Sequence, residues 1–112
     1  MIVRVLTATV SDRASPRLHE LMRQQLPIIR EYDGLVYVML TRRLVGREEE
    51  VVLIEESRDT AALYGWTRPN IERPRLLPGS EDLITDLRIT HDEALDLDST
   101  HPNEAGALTA PV

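Results

Sequence analysis

The sequence predicts an α+β fold: a ferredoxin-like βαββαβ sandwich with a four-stranded antiparallel sheet and both helices on one face. Three observations carry this. Four β-branched stretches and two helical stretches follow one another in the order strand, helix, strand, strand, helix, strand. The connection between the middle two strands is short and holds Gly46, as a hairpin requires. The first three strands are apolar on both faces, although two helices can cover only one.

Residues 2–10, Ile-Val-Arg-Val-Leu-Thr-Ala-Thr-Val, form the first strand, with Val3, Val5, Thr7 and Thr9 on one face and Ile2, Arg4, Leu6, Ala8 and Val10 on the other. Ser15-Pro16 supplies a helix cap followed by proline at the first helical position, where its missing N–H costs nothing. Leu18, Leu21, Met22, Gln25 and Ile29 then recur at helical spacing, and Pro27 predicts a kink or an end near Leu26. Tyr32-Asp33-Gly34 is a turn, and the second strand runs from Leu35 to Arg43, with Leu35, Tyr37, Met39 and Thr41 on one face. Leu44 to Glu48 connects it to a third strand, Glu50 to Glu56. Ser57-Arg58-Asp59 begins a short helix through Ala61, Ala62, Leu63, Tyr64 and Trp66. Pro69, Pro74 and Pro78 keep residues 67–80 irregular, and Leu83 to His91 alternates as a fourth strand. Residues 1–97 therefore read as one domain and 98–112, small and polar, as a flexible tail.

The 112 residues are 42% hydrophobic and 29% charged, a globular composition. Cysteine is absent, which excludes disulfides, thiolate metal sites and a cysteine nucleophile. All 13 basic residues are arginine, so Schiff-base and phosphate-loop lysines are excluded as well. There is no Gly-x-Ser-x-Gly elbow and no glycine-rich phosphate loop. A net charge of −6 argues against nucleic acid as a partner. No apolar run approaches the length of a membrane span, and the N-terminus, broken by Arg4, does not read as a signal peptide. The expected location is the cytoplasm. Because strands apolar on both faces need a second cover, the expected partner is a second copy, packed sheet to sheet as a homodimer.

Three stretches carry a resemblance: Met1–Thr9, Tyr32-Asp33-Gly34-Leu35, and Glu55-Glu56-Ser57-Arg58-Asp59-Thr60-Ala61-Ala62-Leu63 followed by Trp66. Over about residues 1–95 the chain resembles the dimeric α+β barrel superfamily, and within it the antibiotic biosynthesis monooxygenase-like proteins. That resemblance implies a pocket between the helices and the sheet of each protomer. It also implies one of three fates for the pocket: oxidation of aromatic polyketides by dioxygen without a cofactor, haem degradation, or no known activity. Haem-degrading members use an asparagine on the first strand, a tryptophan ending the second helix and a histidine just beyond. Trp66 matches the tryptophan; Thr7 lies near the asparagine position, and residues 67–80 hold no histidine. The resemblance thus favours a pocket without haem or another cofactor.

Several side chains are candidates for its chemistry. Trp66 either stacks on a planar ligand or anchors the core. Tyr37 either hydrogen-bonds a ligand oxygen or packs within the sheet. His19, at the border of the first helix's apolar stripe, is a candidate general base or an exposed helical histidine. His19-Glu20-Leu21-Met22-Arg23 misses the zinc-protease pattern because arginine replaces the second histidine. His91 and Glu93 supply two ligands, too few for a metal site, and His101 lies in the tail. Arg68, Arg73 and Arg75 suit a carboxylate or phenolate oxygen, or pair with the acidic 81–98 stretch. The expected function is a cofactor-independent monooxygenase-like protein that binds an aromatic or polycyclic metabolite. In it His19 and Tyr37 handle protons, and Thr7, Trp66, Arg68 and Arg73 contact substrate. The alternative is a non-enzymatic ligand-binding or structural dimeric module.

Overall fold

The computed structural model describes residues 1–67, 70–71 and 73–95. Strand β1 (Ile2–Ser11) leads to helix α1 (Ser15–Ile29), and the hairpin strands β2 (Leu35–Val45) and β3 (Glu48–Ser57) follow. Helix α2 (Thr60–Thr67), a single helical turn α3 (Ser80–Leu83) and strand β4 (Ile84–Glu93) complete the order. The strands form one antiparallel sheet in the order β2-β3-β1-β4, the ferredoxin-like arrangement expected.

Period-two alternation decides which side chains meet the helices. On β1, Arg4, Leu6, Ala8 and Val10 are buried, and on β3, Glu49, Val51, Leu53, Glu55 and Ser57 are. Leu18, Met22 and Ile29 of α1 and Trp66 of α2 pack on this face with Leu6, Ala8, Val10, Val51 and Leu53. Val38 and Leu40 of β2 and Leu87 and Ile89 of β4 border the same core. Val3, Val5, Thr7 and Thr9 of β1 and Val52 and Ile54 of β3 point the other way and are only partly covered. Met39 beside them is exposed. One end of that open face carries a polar clasp, in which Glu50 takes ion pairs from Arg43 of β2 and from Arg88 of β4, the latter at 3.3 Å.

Several elements depart from the sequence expectation for local reasons. Ala14, not Ser15, caps α1, and Ser15 turns its hydroxyl inward onto Glu49. Pro27 does not end the helix, which continues to Ile29. Pro27 and Arg23, whose carbonyl loses its partner, are both exposed, so solvent can replace the missing bond. The hairpin is tighter than expected, with Gly46 (φ +64°) and Arg47 alone between the strands. Helix α2 starts at Thr60, because the Asp59 carboxylate accepts the Ala62 N–H at 2.8 Å. The turn α3 was not foreseen, and β4 begins one residue later than expected. Residues 96–112 lie outside the described residues, and with them the expected tail.

Gly34 shows how closely the second strand meets α2. Its φ is +91°, its carbonyl accepts the Arg58 N–H at 2.7 Å, and a Cβ built on it would collide with the Ala62 methyl. Gly34→Ala should therefore destabilise the protein by roughly 2 kcal/mol or more, measured as a lower urea midpoint with an unchanged denaturant slope.

Candidate functional site

Antiparallel pairing sets Arg4 of β1 opposite Glu55 of β3 on one side and His91 of β4 on the other, all on the helix-covered face. Arg4 is 2% exposed. Its guanidinium lies 3.5 Å from Glu55 Oε2, donates to His91 Nε2 at 2.9 Å and to the Arg73 carbonyl at 2.7 Å, and also donates to the Ile71 carbonyl. Accepting from Arg4 requires an unprotonated His91 Nε2. The chain beyond α2 is thus drawn down onto the sheet. Gln25 of α1 holds the next stretch by donating to the Arg75 carbonyl and accepting the Leu77 N–H at 3.1 Å.

Glu55 is unusual within this cluster. It is 2% exposed, its contact with Arg4 is an ion-pair distance rather than a hydrogen bond, and Oε1 has no hydrogen-bond partner among the described residues. Burial pushes its carboxyl up to about 7, the charge of Arg4 only partly opposing. Burial likewise pulls the Arg4 guanidinium below its ordinary value, against the raising effect of Glu55.

Aromatic side chains wall the same end. Tyr32 stacks on Trp66 with ring centroids 4.9 Å apart and planes 15° from parallel. The Arg75 guanidinium lies 4.3 Å from the Trp66 ring centre and donates to the Trp66 carbonyl at 2.6 Å. The Tyr32 hydroxyl shares a 2.6 Å hydrogen bond with Ser57 Oγ. Burial pushes that phenol up to about 12, the Ser57 bond pulling the other way. A cavity of about 280 Å³ opens at Tyr32 and Trp66, between Asp33, Arg58 and the Ala61–Ala62 turn. The arrangement joins a flat aromatic wall to a dry carboxyl that can gain or lose a proton near neutrality and a fixed positive charge.

The sequence candidates divide between this site and other places. Trp66 belongs to it, and so does the backbone of Arg73, whose side chain borders a separate cavity of about 480 Å³ with Pro74, Glu81 and Leu87. Arg68 lies outside the described residues. Thr7 and Tyr37 correct the expectation: the pairing of Thr7 with Val52 and of Tyr37 with Glu56 turns both to the open sheet face, away from the helices. The Tyr37 hydroxyl there meets Met39 Sδ at 3.1 Å. His19 stands at the opposite end of the covered face, against Glu49 at 2.7 Å. Arg4, Glu55 and Tyr32 were not singled out from the sequence. Arg4 is marked in the sequence only as a charge within an apolar strand, and Glu55, in a strand with several glutamates, is not marked at all.

No family model and no curated protein matches the chain. Solved structures do. A candidate antibiotic biosynthesis monooxygenase from Deinococcus radiodurans is 21% identical, with 86% of this chain and 94% of that chain covered and a TM-score of 0.68. A similarly named protein from Bacillus cereus is 18% identical over 90% and 97% of the two chains, with a TM-score of 0.63. The haem-degrader MhuD from Mycobacterium tuberculosis, with two haems bound in its active site, is 15% identical over 86% and 97%, with a TM-score of 0.61. The chain has the fold of these proteins named antibiotic biosynthesis monooxygenases. Its residues do not fit a haem at this end of the sheet. The histidine present, His91, spends Nε2 on Arg4, and Leu6 and Ala8 are the inward residues of β1 beyond Arg4. Among the described residues, no helix is long and apolar enough to cross a membrane.

Glu55 makes a pH dependence that can be isolated. Between the ordinary carboxylate range and about pH 7, the native chain holds a proton that the unfolded chain has released, so stability falls as pH rises through that window and levels above it. Glu55→Gln removes this slope. Urea unfolding from pH 5 to 8 should show wild-type stability falling relative to the variant, by at most about 3 kcal/mol at 1.4 kcal/mol per unit. Parallel curves would show that Glu55 titrates normally.

Proposed function

We propose that the protein is a homodimeric, cofactor-independent monooxygenase-like protein that takes a planar aromatic or polycyclic metabolite between its helices and its sheet, at the Trp66 end. The observation that carries this reading is the Glu55 carboxyl, titrating near pH 7 beside the aromatic wall of Tyr32 and Trp66. The shared fold with proteins named monooxygenases supports it.

In this reading the base removes a proton from an acidic ring C–H or phenol of the substrate. The resulting anion is electron-rich enough to reduce dioxygen directly. A ring methylene then becomes a carbonyl, one oxygen atom entering the carbon and the other leaving as water, with all electrons supplied by the substrate. Arg4 and Arg75 hold positive charge near the developing oxyanion, and Trp66, stacked on Tyr32, walls the site once Arg75 leaves its ring. Glu55 takes the proton-handling role first given to His19 and Tyr37, which stand elsewhere. Substrate reaches the carboxyl when Ile71 and residues 73–77 lift from Arg4 and Gln25. The closed packing of Trp66, 7% exposed, favours a second reading, a non-enzymatic ligand-binding or structural dimeric module.

The dimer belongs to the same proposal. Val3, Val5, Val52, Ile54 and Met39 form an apolar centre on the open sheet face, with the Arg43–Glu50–Arg88 clasp at its rim, the anatomy of an interface. A second copy meeting it face to face closes a barrel. A cytoplasmic location completes the reading.

Trp66 is the single tryptophan, so its fluorescence reports on the site. Anthrone and 1,4-naphthoquinone should quench it saturably, and anthrone should drive oxygen uptake that Glu55→Gln lowers at least tenfold without loss of binding. Binding without oxygen uptake would leave the non-enzymatic reading, and no saturable binding across quinones, anthrones, flavin and haem would end the ligand reading. Light scattering at micromolar concentration should give twice the chain mass, and a monomer would refute the dimer.

A further inference from the structure

A second polar cluster lies at the far end of the helix-covered face. Six residues of β3 separate its centre, Glu49, from Glu55, about 20 Å at 3.3 Å per residue. Glu49 is 3% exposed. Oε2 accepts from Ser15 Oγ and, at 2.7 Å, from His19 Nε2, while Oε1 accepts from Arg42 Nη1 at 3.1 Å. Burial by itself would raise this carboxyl, but the bonds from Ser15, His19 and Arg42 outweigh it and hold the group below its ordinary value. Glu49 is therefore a fixed negative charge that orders two basic side chains.

A cavity of about 320 Å³ opens beside it between α1 and β2, lined by His19, Arg23, Leu40, Thr41, Arg42 and Val51. Two guanidinium groups and an imidazole border it, with Leu40 and Val51 as its apolar part. We propose that this cavity binds a small organic monocarboxylate, its oxygens on Arg23 and Arg42 and its aliphatic body on Leu40 and Val51. The charge supports a monoanion: Arg23 and Arg42 against Glu49 leave one net positive charge. The planar fork of arginine matches a carboxylate. Glu49 already holds Arg42 and His19, so binding orders little more than Arg23, which has no ion pair among the described residues. The volume, at the low end for ligand pockets, suits a body of a few carbons. This site is separate from the one at Trp66 and stands without it.

Butyrate titrated into the full chain, followed by calorimetry and by amide NMR, tests this. One saturable site per chain is expected, with shifts at His19, Thr41 and Arg42 and none at the Trp66 indole. Arg23→Gln, an exposed change, should weaken binding at least fivefold. Glu49→Gln, which removes the competing charge while keeping the side-chain shape, should tighten it by a similar factor. Should that variant fail to fold, Arg42→Gln replaces it, with loss of binding expected. No saturable butyrate binding, shifts centred on Trp66, tighter binding of inorganic phosphate at the same residues, or unchanged affinity in Arg23→Gln would each overturn the proposal.

Discussion

A buried guanidinium governs this structure. Removing a charge from water costs several kcal/mol unless partners replace the lost hydration, and Arg4, near the start of β1, collects them from several directions. Glu55 comes from the next strand on one side, His91 from the strand on the other, and the Ile71 and Arg73 carbonyls from the chain beyond α2. Those carbonyls could not reach Arg4 unless the segment crossed the end of the sheet. Its path then brings Arg75 over Trp66 and Leu77 onto Gln25. The closed form of the Trp66 end follows from satisfying one side chain. Arg4 is a poor source of stability, and its worth is to fix where the covering segment lies.

The same arrangement explains why burial pushes the Glu55 carboxyl up to about 7. Arg4 divides its donors among backbone carbonyls and an imidazole, so it faces Glu55 across 3.5 Å without a hydrogen bond, and Oε1 has no donor among the described residues. Glu49 shows the contrast within one strand. Its side chain is also little exposed, but donors from Ser15, His19 and Arg42 grip it and hold its carboxyl below its ordinary value. Depth and the number of donors together separate a carboxyl that can exchange a proton from one that serves as a fixed charge.

Much of the fold was legible in the sequence. Strand alternation, the Leu18-Leu21-Met22-Gln25-Ile29 stripe and the Gly46 hairpin gave the element order, and the doubly apolar strands pointed to a face the chain leaves open. The faces themselves could not be assigned, because alternation separates two sets of residues without saying which meets the helices. Thr7 and Tyr37 were misplaced for that reason; pairing turns them to the open face with Val52 and Glu56. Pro27 was overweighted, since an exposed helix end tolerates the lost bond. Arg4 passed as an interruption of an apolar strand and Glu55 as part of a motif. Their meaning depends on antiparallel register, which brings residues 51 positions apart into contact and leaves no local mark.

The central claim is that Arg4 holds the segment that closes the Trp66 end. Acrylamide quenching of Trp66 in Arg4→Met, at pH 6 where Glu55 carries its proton, tests it most directly. A quenching constant several-fold above wild type, with the far-ultraviolet circular dichroism of the sheet unchanged, is the predicted result. Quenching equal to wild type in a folded variant would contradict the account, because the cover would then be held by something other than Arg4.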